Sequence, residues 1–215
     1  VDLNLVEDDE QEKARKWWKE NRAPIISGVV LGLSIIIGFN WWNAYKTSRG
    51  EAASVLYQEM IQNDADANRV AVTASEVGQQ IIDEYGDTAY SGKAALILAR
   101  IAYDNKDIDG AREKLNWAIE NSKQFETLHT ARLRLASILM VEKNFEEALD
   151  LLSVENMQGF ESHYYEMRGD IYLSLEQSDR ARDAYRAAID GLSPGSMYEP
   201  VLKMKLDAIS TGSTS

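Results

Sequence analysis

The sequence predicts an all-α fold, one N-terminal transmembrane helix followed by an α-solenoid of helical hairpins with a C-terminal capping helix. Three observations carry this. A run of 23 residues without an ionisable side chain lies near the N-terminus, and small residues recur at a near-constant interval through the second half. The remaining chain holds Pro only at Pro194 and Pro200 and lacks the apolar–polar alternation of half-buried strands.

The uncharged run, APIISGVVLGLSIIIGFNWWNAY, extends from Ala23 to Tyr45. At ~1.5 Å per residue a helix of that length reaches about 34 Å, enough to cross a hydrocarbon core of ~30 Å with a little tilt. Lys13, Arg15, Lys16, Lys19 and Arg22 precede it, whereas only Lys46 and Arg49 are basic in the following stretch. This bias predicts a cytoplasmic N-terminus. A retained anchor is expected rather than a cleaved signal, because Phe39, Trp41 and Trp42 occupy the place where small residues precede cleavage. Trp41 and Trp42 fit an aromatic belt at the outer interface, and Trp17 and Trp18 are expected on one side of a short basic helix suited to the inner surface. Gly28 with Gly32, and Ser34 with Gly38, each place two small residues one turn apart, on different faces of the helix, where another helix could pack closely. The acidic head Glu7, Asp8, Asp9, Glu10 and Glu12 reads as a solvated, partly disordered tail.

Net charge is -12. Residues 1–22 hold five basic and seven acidic groups, and residues 46–215 hold 18 basic and 28 acidic. A domain so acidic, without a basic cluster, argues against nucleic acid and anionic lipid as its partners. The absence of cysteine excludes an N-terminal lipidated Cys, disulfides, thiolate metal sites and cysteine catalysis.

Three segments share one pattern: LARIAYDNKDIDGAREKLNWAIEN from Leu98, LASILMVEKNFEEALDLLSVEN from Leu135 and RGDIYLSLEQSDRARDAYRAAIDG from Arg168. Ala99, Ala136 and Gly169 align, as do Ala111, Ala148 and Ala181; both series step by 37 and then 33, near the 34-residue tetratricopeptide period. Each unit is expected to be an antiparallel helix pair whose small residues permit close approach. Leu115, Leu152 and Tyr185 should fill the space between neighbouring pairs. Glu155 stands where the other repeats have Ala118 and Ala188, so the second helix of the second repeat should end early. The expected organisation is a tail at 1–22, the span at 23–45, a degenerate helical pair at 46–90, three tetratricopeptide-like repeats at 91–194, and a capping helix with a loose tail at 195–215. Within the last part the helix is expected over Met197–Ile209 and the tail from Ser210.

Chemical motifs are weak. Asn105, Asp107, Asp109 and Gly110 imitate the opening of a calcium loop, but Asn116 stands where a bidentate Glu is required, and a tight turn between repeat helices explains the segment. His129 and His163 lack the spacing of metal ligands or of a nucleophile triad and read as solvated or partly buried helix residues. No catalytic, metal-binding or cofactor-binding residues are assigned. The first helix of each pair should instead display a partner groove of Leu96, Arg100 and Tyr103, then Leu133, Ser137, Met140 and Val141, then Glu166, Asp170 and Leu173. Its apolar middle, with adaptable Met140, suits a partner helix or an extended chain unless the protein's own helices cover it.

The segment QEKARKWWKENRAPIISGVVLGLSIIIGFNWWN, the three repeats and the closing KMKLDAI together resemble the ancillary SecYEG translocon subunits of Gram-negative bacteria. The resemblance covers nearly the whole chain. It implies a single-pass inner-membrane protein with a periplasmic tetratricopeptide-like domain. The implied partners are the SecYEG translocon, a membrane-anchored periplasmic chaperone related to peptidyl-prolyl isomerases, and unfolded secretory clients. It also implies restraint of a cytoplasmic envelope-stress regulator. From the residues alone, a scaffold for cell-envelope assembly or division remains the alternative; an enzyme has no residue set to support it.

Overall fold

Helix α1 runs without interruption over Leu3–Ala65 in the computed structural model, which describes residues 3–65, 71–157 and 159–212. The sequence suggested separate pieces here: a loose acidic head, a short basic helix, the span, and a first helix of the degenerate pair. The structure joins them. Residues 3–23 contain good helix formers and no Gly or Pro, so nothing local stops the helix. Pro24 lies inside it and leaves the Glu20 carbonyl without a helical amide partner.

The chain divides into two units, residues 1–49 and 50–215. In the first, the apolar side chains from Ile25 to Tyr45 are exposed, with Leu31 at 64% and Ile37 at 67%. Exposed apolar side chains over such a length are stable only in hydrocarbon, and this helix is long and apolar enough to cross a membrane.

In the second unit, the C-terminal part of α1 packs through Leu56, Tyr57 and Met60 against α2 (Ala71–Tyr85) and α3 (Ala89–Asp104). The contact is close: a Cβ on Gly78 would lie 2.5 Å from Met60 Cε. Three hairpins follow. They are α3 with α4 (Ile108–Asn121), α5 (Phe125–Val141) with α6 (Phe145–Leu151), and α7 (Glu161–Ser174) with α8 (Ser178–Asp190); α9 (Glu199–Gly212) closes the array. No strand occurs among the described residues. Since α9 runs to Gly212, the tail expected from Ser210 is helical for its first residues; 213–215 lie outside the described residues.

The aligned small residues are where close packing demands them. Ala111, Ala136, Ala148 and Ala181 are fully buried, and Ala99 is 4% exposed. Leu115, Leu152 and Tyr185 fill the joints at 2%, 0% and 1% exposure. Helix α6 has 7 residues against 14 in α4 and 13 in α8. Arg168 then caps the short helix, donating to the Leu152 carbonyl at 2.9 Å.

Each hairpin turn uses the same backbone device. Lys106, Lys143 and Glu176 adopt φ of 67°, 64° and 59°, at the same 37 and 33 steps as the repeat. The left-handed residue lets two amides reach back, as when Lys143 N–H bonds the Met140 carbonyl and Asn144 N–H the Leu139 carbonyl. A side chain in this conformation costs roughly 1–2 kcal/mol, which glycine avoids at some cost in unfolded-state entropy. Lys143→Gly should therefore stabilise the array by about 0.5–1 kcal/mol, read as a raised denaturation midpoint with unchanged slope. A lowered midpoint would show that the lysine side chain contributes contacts outweighing the strain.

The calcium-like segment is explained by this turn. Asp107 Oδ1 accepts from the Gly110 amide at 2.9 Å, capping α4 and giving the carboxylate a helix amide as partner.

Candidate functional site

Helices α3 and α5 lie side by side and leave a groove of about 410 Å³ between them. Arg134, Ser137, Ile138 and Val141 line it from α5, at the 3, 4 and 7 spacing of one helix face. Arg100 and Tyr103 line it from α3, with Ala99 and Leu115 beneath. The centre is apolar and open: Val141 is 68% exposed and Tyr103 41%. Two guanidinium groups stand at its rim. Arg100 is gripped by Asp64 and pairs with Asp104 at 3.0 Å, which holds its charge more firmly on, and Arg134 donates to the Leu96 carbonyl at 3.3 Å. Such a surface can take apolar side chains of a partner segment, with the Ser137 hydroxyl and the rim cations offering polar contacts.

Four residues of the expected groove, Arg100, Tyr103, Ser137 and Val141, come together here. Leu96, Leu133 and Met140 do not; they are partly buried and pack on the core. The groove-facing stripe of α5 is Arg134, Ser137, Ile138 and Val141, one residue or ~100° round the helix from Leu133 and Met140. Arg134 and Ile138 were missed for this reason, although their spacing to Ser137 places them on its face.

The third-repeat end differs from the expected open surface. Glu166 is 9% exposed, and α9 covers it. Lys205 Nζ lies 2.8 Å from Glu166 Oε1 and 2.8 and 2.9 Å from the two Asp170 oxygens. The Tyr198 hydroxyl donates to Glu166 at 2.8 Å, and the Tyr185 hydroxyl donates to Asp170 at 2.6 Å. Burial works against the Lys205 charge, but its bonds to Asp170 and Glu166 outweigh this and raise its pKa. Burial and the carboxylate partners push both tyrosines up as well. Leu173, one turn beyond Asp170, remains 44% exposed.

His129 is fully buried, unlike the solvated or partly buried residue expected from the sequence, because aromatic rings from two repeats enclose it. Phe125 and Phe160 lie 4.0 and 5.2 Å from it between centroids, and Nδ1 is 2.6 Å from the Tyr164 hydroxyl. Its Nε2 has no hydrogen-bond partner among the described residues. His163 is exposed and stacks on Tyr198 at 6.4 Å. Burial, aided by Arg132 and opposed by Glu161, lowers the His129 pKa below its ordinary 6.5. The unfolded chain therefore binds the proton more readily, and stability present above pH 6.5 is lost as pH falls below it. His129→Gln should remove that part of the pH dependence below pH 6.5 in denaturation curves. An unchanged pH profile in the variant would place the dependence elsewhere.

In the first unit, a Cβ on Gly28, Gly32 or Gly38 would meet nothing within 4 Å, and Ser34 Oγ donates to the Val30 carbonyl at 2.8 Å. Trp41 stacks on Tyr45 at 6.0 Å, and Lys46 lies 5.1 Å over the Trp42 ring. Trp17 and Trp18 are 58% and 50% exposed and, as adjacent residues of α1, point about 100° apart rather than to one side as expected.

Comparison with known proteins agrees with this architecture. Proteins named ancillary SecYEG translocon subunit are similar over almost the whole chain: from Escherichia coli (24% identical, 95% of this chain and 97% of the relative), Aggregatibacter actinomycetemcomitans (26%, 94% and 97%) and Neisseria gonorrhoeae (26%, 96% and 98%). The family model described as tetratricopeptide repeat-like domain matches residues 15–211, taking in the membrane-length helix, the three hairpins and most of the closing helix. The chain belongs to the tetratricopeptide repeat-like domain family defined by that model.

Proposed function

We propose that this chain is a non-enzymatic, membrane-anchored adaptor at the SecYEG translocon. Similarity to named translocon subunits over 94–96% of the chain carries this reading, because it spans anchor and array together. The single span holds the protein in the inner membrane, with the N-terminus cytoplasmic and the array periplasmic, as the basic bias before the span favours. The array binds a membrane-anchored chaperone of the peptidyl-prolyl isomerase-related type and helps pass translocated clients to the periplasmic chaperone network. Restraint of a cytoplasmic envelope-stress regulator is a further part of the proposed role. Gly28 with Gly32, and Ser34 with Gly38, form two small-residue stripes on different faces of the span where partner helices pack, and the α3–α5 groove, centred on Tyr103 and Val141, receives an apolar segment of the partner.

Photo-crosslinking in intact membranes tests both surfaces. A crosslinker at Gly32 should capture a translocon subunit, one at Val141 a periplasmic chaperone or a client, and external protease should remove the array from spheroplasts. Protection of the array, or capture of envelope-assembly proteins without any translocon subunit, would overturn the reading in favour of a scaffold unrelated to secretion.

A further inference from the structure

The segment just before the span separates its charges by helix face. At ~100° per residue, Arg15, Trp18, Lys19 and Arg22 fall within an arc of about 100°, while Lys13, Trp17 and Glu20 lie on the opposite side. All four stripe residues are exposed, and among the described residues Arg15, Lys19 and Arg22 hold no ion pair. This contrasts with the other end of the span, where Lys46 and Arg49 already lie over the rings of Trp42 and Tyr45.

Position along the helix matters as much as face. Because α1 is continuous, Arg22, Lys19 and Arg15 stand about 4.5, 9 and 15 Å before Ile25, where the exposed apolar run begins. The headgroup layer is roughly 5–8 Å deep on each side of the hydrocarbon. Arg22 lies in it directly; Lys19 and Arg15 reach back toward it along their flexible stems. Trp18 shares the stripe and supplies an amphipathic ring of the kind that settles at this interface. Guanidinium groups match phosphate oxygens in pairs, and Lys19 adds a point charge between them.

We propose that Arg15, Trp18, Lys19 and Arg22 form a docking stripe for the anionic headgroups of phospholipids in the leaflet on the N-terminal side of the span. The stripe enriches such lipids around the anchor although the chain as a whole carries a net charge of -12. General attraction of the whole chain to an anionic surface is thereby excluded as its cause, and the segregated face supplies the recognition. The proposal uses the membrane span but not the translocon reading, and it is tested without any translocon subunit.

The experiment uses the full-length chain in vesicles, with Trp18 as the sole tryptophan and the others replaced by phenylalanine. Energy transfer is measured from Trp18 to phosphatidylglycerol or phosphatidylcholine carrying the same acyl-chain fluorophore, so that only the headgroup differs. Phosphatidylglycerol should be enriched at least about twofold near Trp18, and the enrichment should shrink in 1 M salt, where the screening length falls to ~3 Å. Combined Arg15→Gln, Lys19→Gln and Arg22→Gln should abolish it, whereas Lys13→Gln with Lys16→Gln should leave most of it. Equal transfer to the two lipids in the parent protein, or a preference that survives the triple change, overturns the proposal. The comparison within the parent decides the matter even where the triple variant fails to insert.

Discussion

Lys205→Ala should lower the stability of the array by about 2–3 kcal/mol, the largest loss expected from any single charge change in the protein. The ammonium group serves two carboxylates at once, and removing it leaves Glu166 and Asp170 facing each other under α9 with no cation between them. Full burial of such a pair would cost 3–5 kcal/mol; here the partners keep some exposure, 12% for the Glu166 side chain and 27% for Asp170, and the expected loss falls accordingly. Because the folded state raises the Lys205 pKa, this contribution is fully present below the ordinary value of 10.5 and disappears only as pH rises through the folded value. The test is a denaturation midpoint at neutral pH for Lys205→Ala, beside a triple variant that adds Glu166→Gln and Asp170→Asn. Recovery of most of the loss in the triple variant identifies unpaired charge as the cause. A loss that persists would assign it to the apolar stem of Lys205, which lies 5.7 Å from the Tyr185 ring at its charged end.

This cluster marks where sequence reading stopped. The close approach of the two helices within each hairpin was legible because Ala or Gly at a fixed interval has one physical meaning, and Ala111, Ala148 and Ala181 are indeed fully buried. The uncharged run from Ala23 was equally plain. Groove orientation was harder, since α5 carries apolar residues round much of its circumference, and a one-residue change of phase exchanges Leu133 for Arg134. The partner of Glu166 and Asp170 lies 35 residues from Asp170, on a helix whose docking no local pattern specifies. Two carboxylates one turn apart on α7 were a usable signal, because a partly buried pair requires a cation from elsewhere. The turns hid their geometry differently: lysine and glutamate occupy the left-handed positions at 106, 143 and 176, where glycine or asparagine would have announced them.

Replacing glycine by alanine should have opposite effects at two helical positions, and the contrast separates propensity from packing. At Gly50, in α1, a Cβ would meet nothing within 4 Å, so alanine should stabilise by about 0.5–1 kcal/mol through reduced unfolded-state freedom and better helix propensity. The same gain is available at Gly169 in α7, but there the new Cβ would sit 2.6 Å from Tyr185 Cε1 and 2.7 Å from Cδ1. The ring is poorly placed to yield, since its hydroxyl is bonded to Asp170 at 2.6 Å and Lys205 lies over its face. Either α7 and α8 separate, or Tyr185 leaves its rotamer and loses the Asp170 bond. Overpacking of this kind costs typically 1–3 kcal/mol and exceeds the propensity gain, so Gly169→Ala should be net destabilising, with Gly169→Leu worse. Thermal or chemical denaturation of Gly50→Ala and Gly169→Ala in the same background gives the answer. If Gly169→Ala is as stable as the parent, the Tyr185 ring moves more freely than its hydrogen bond implies, and the Asp170–Lys205 cluster cannot be what fixes the last joint of the array.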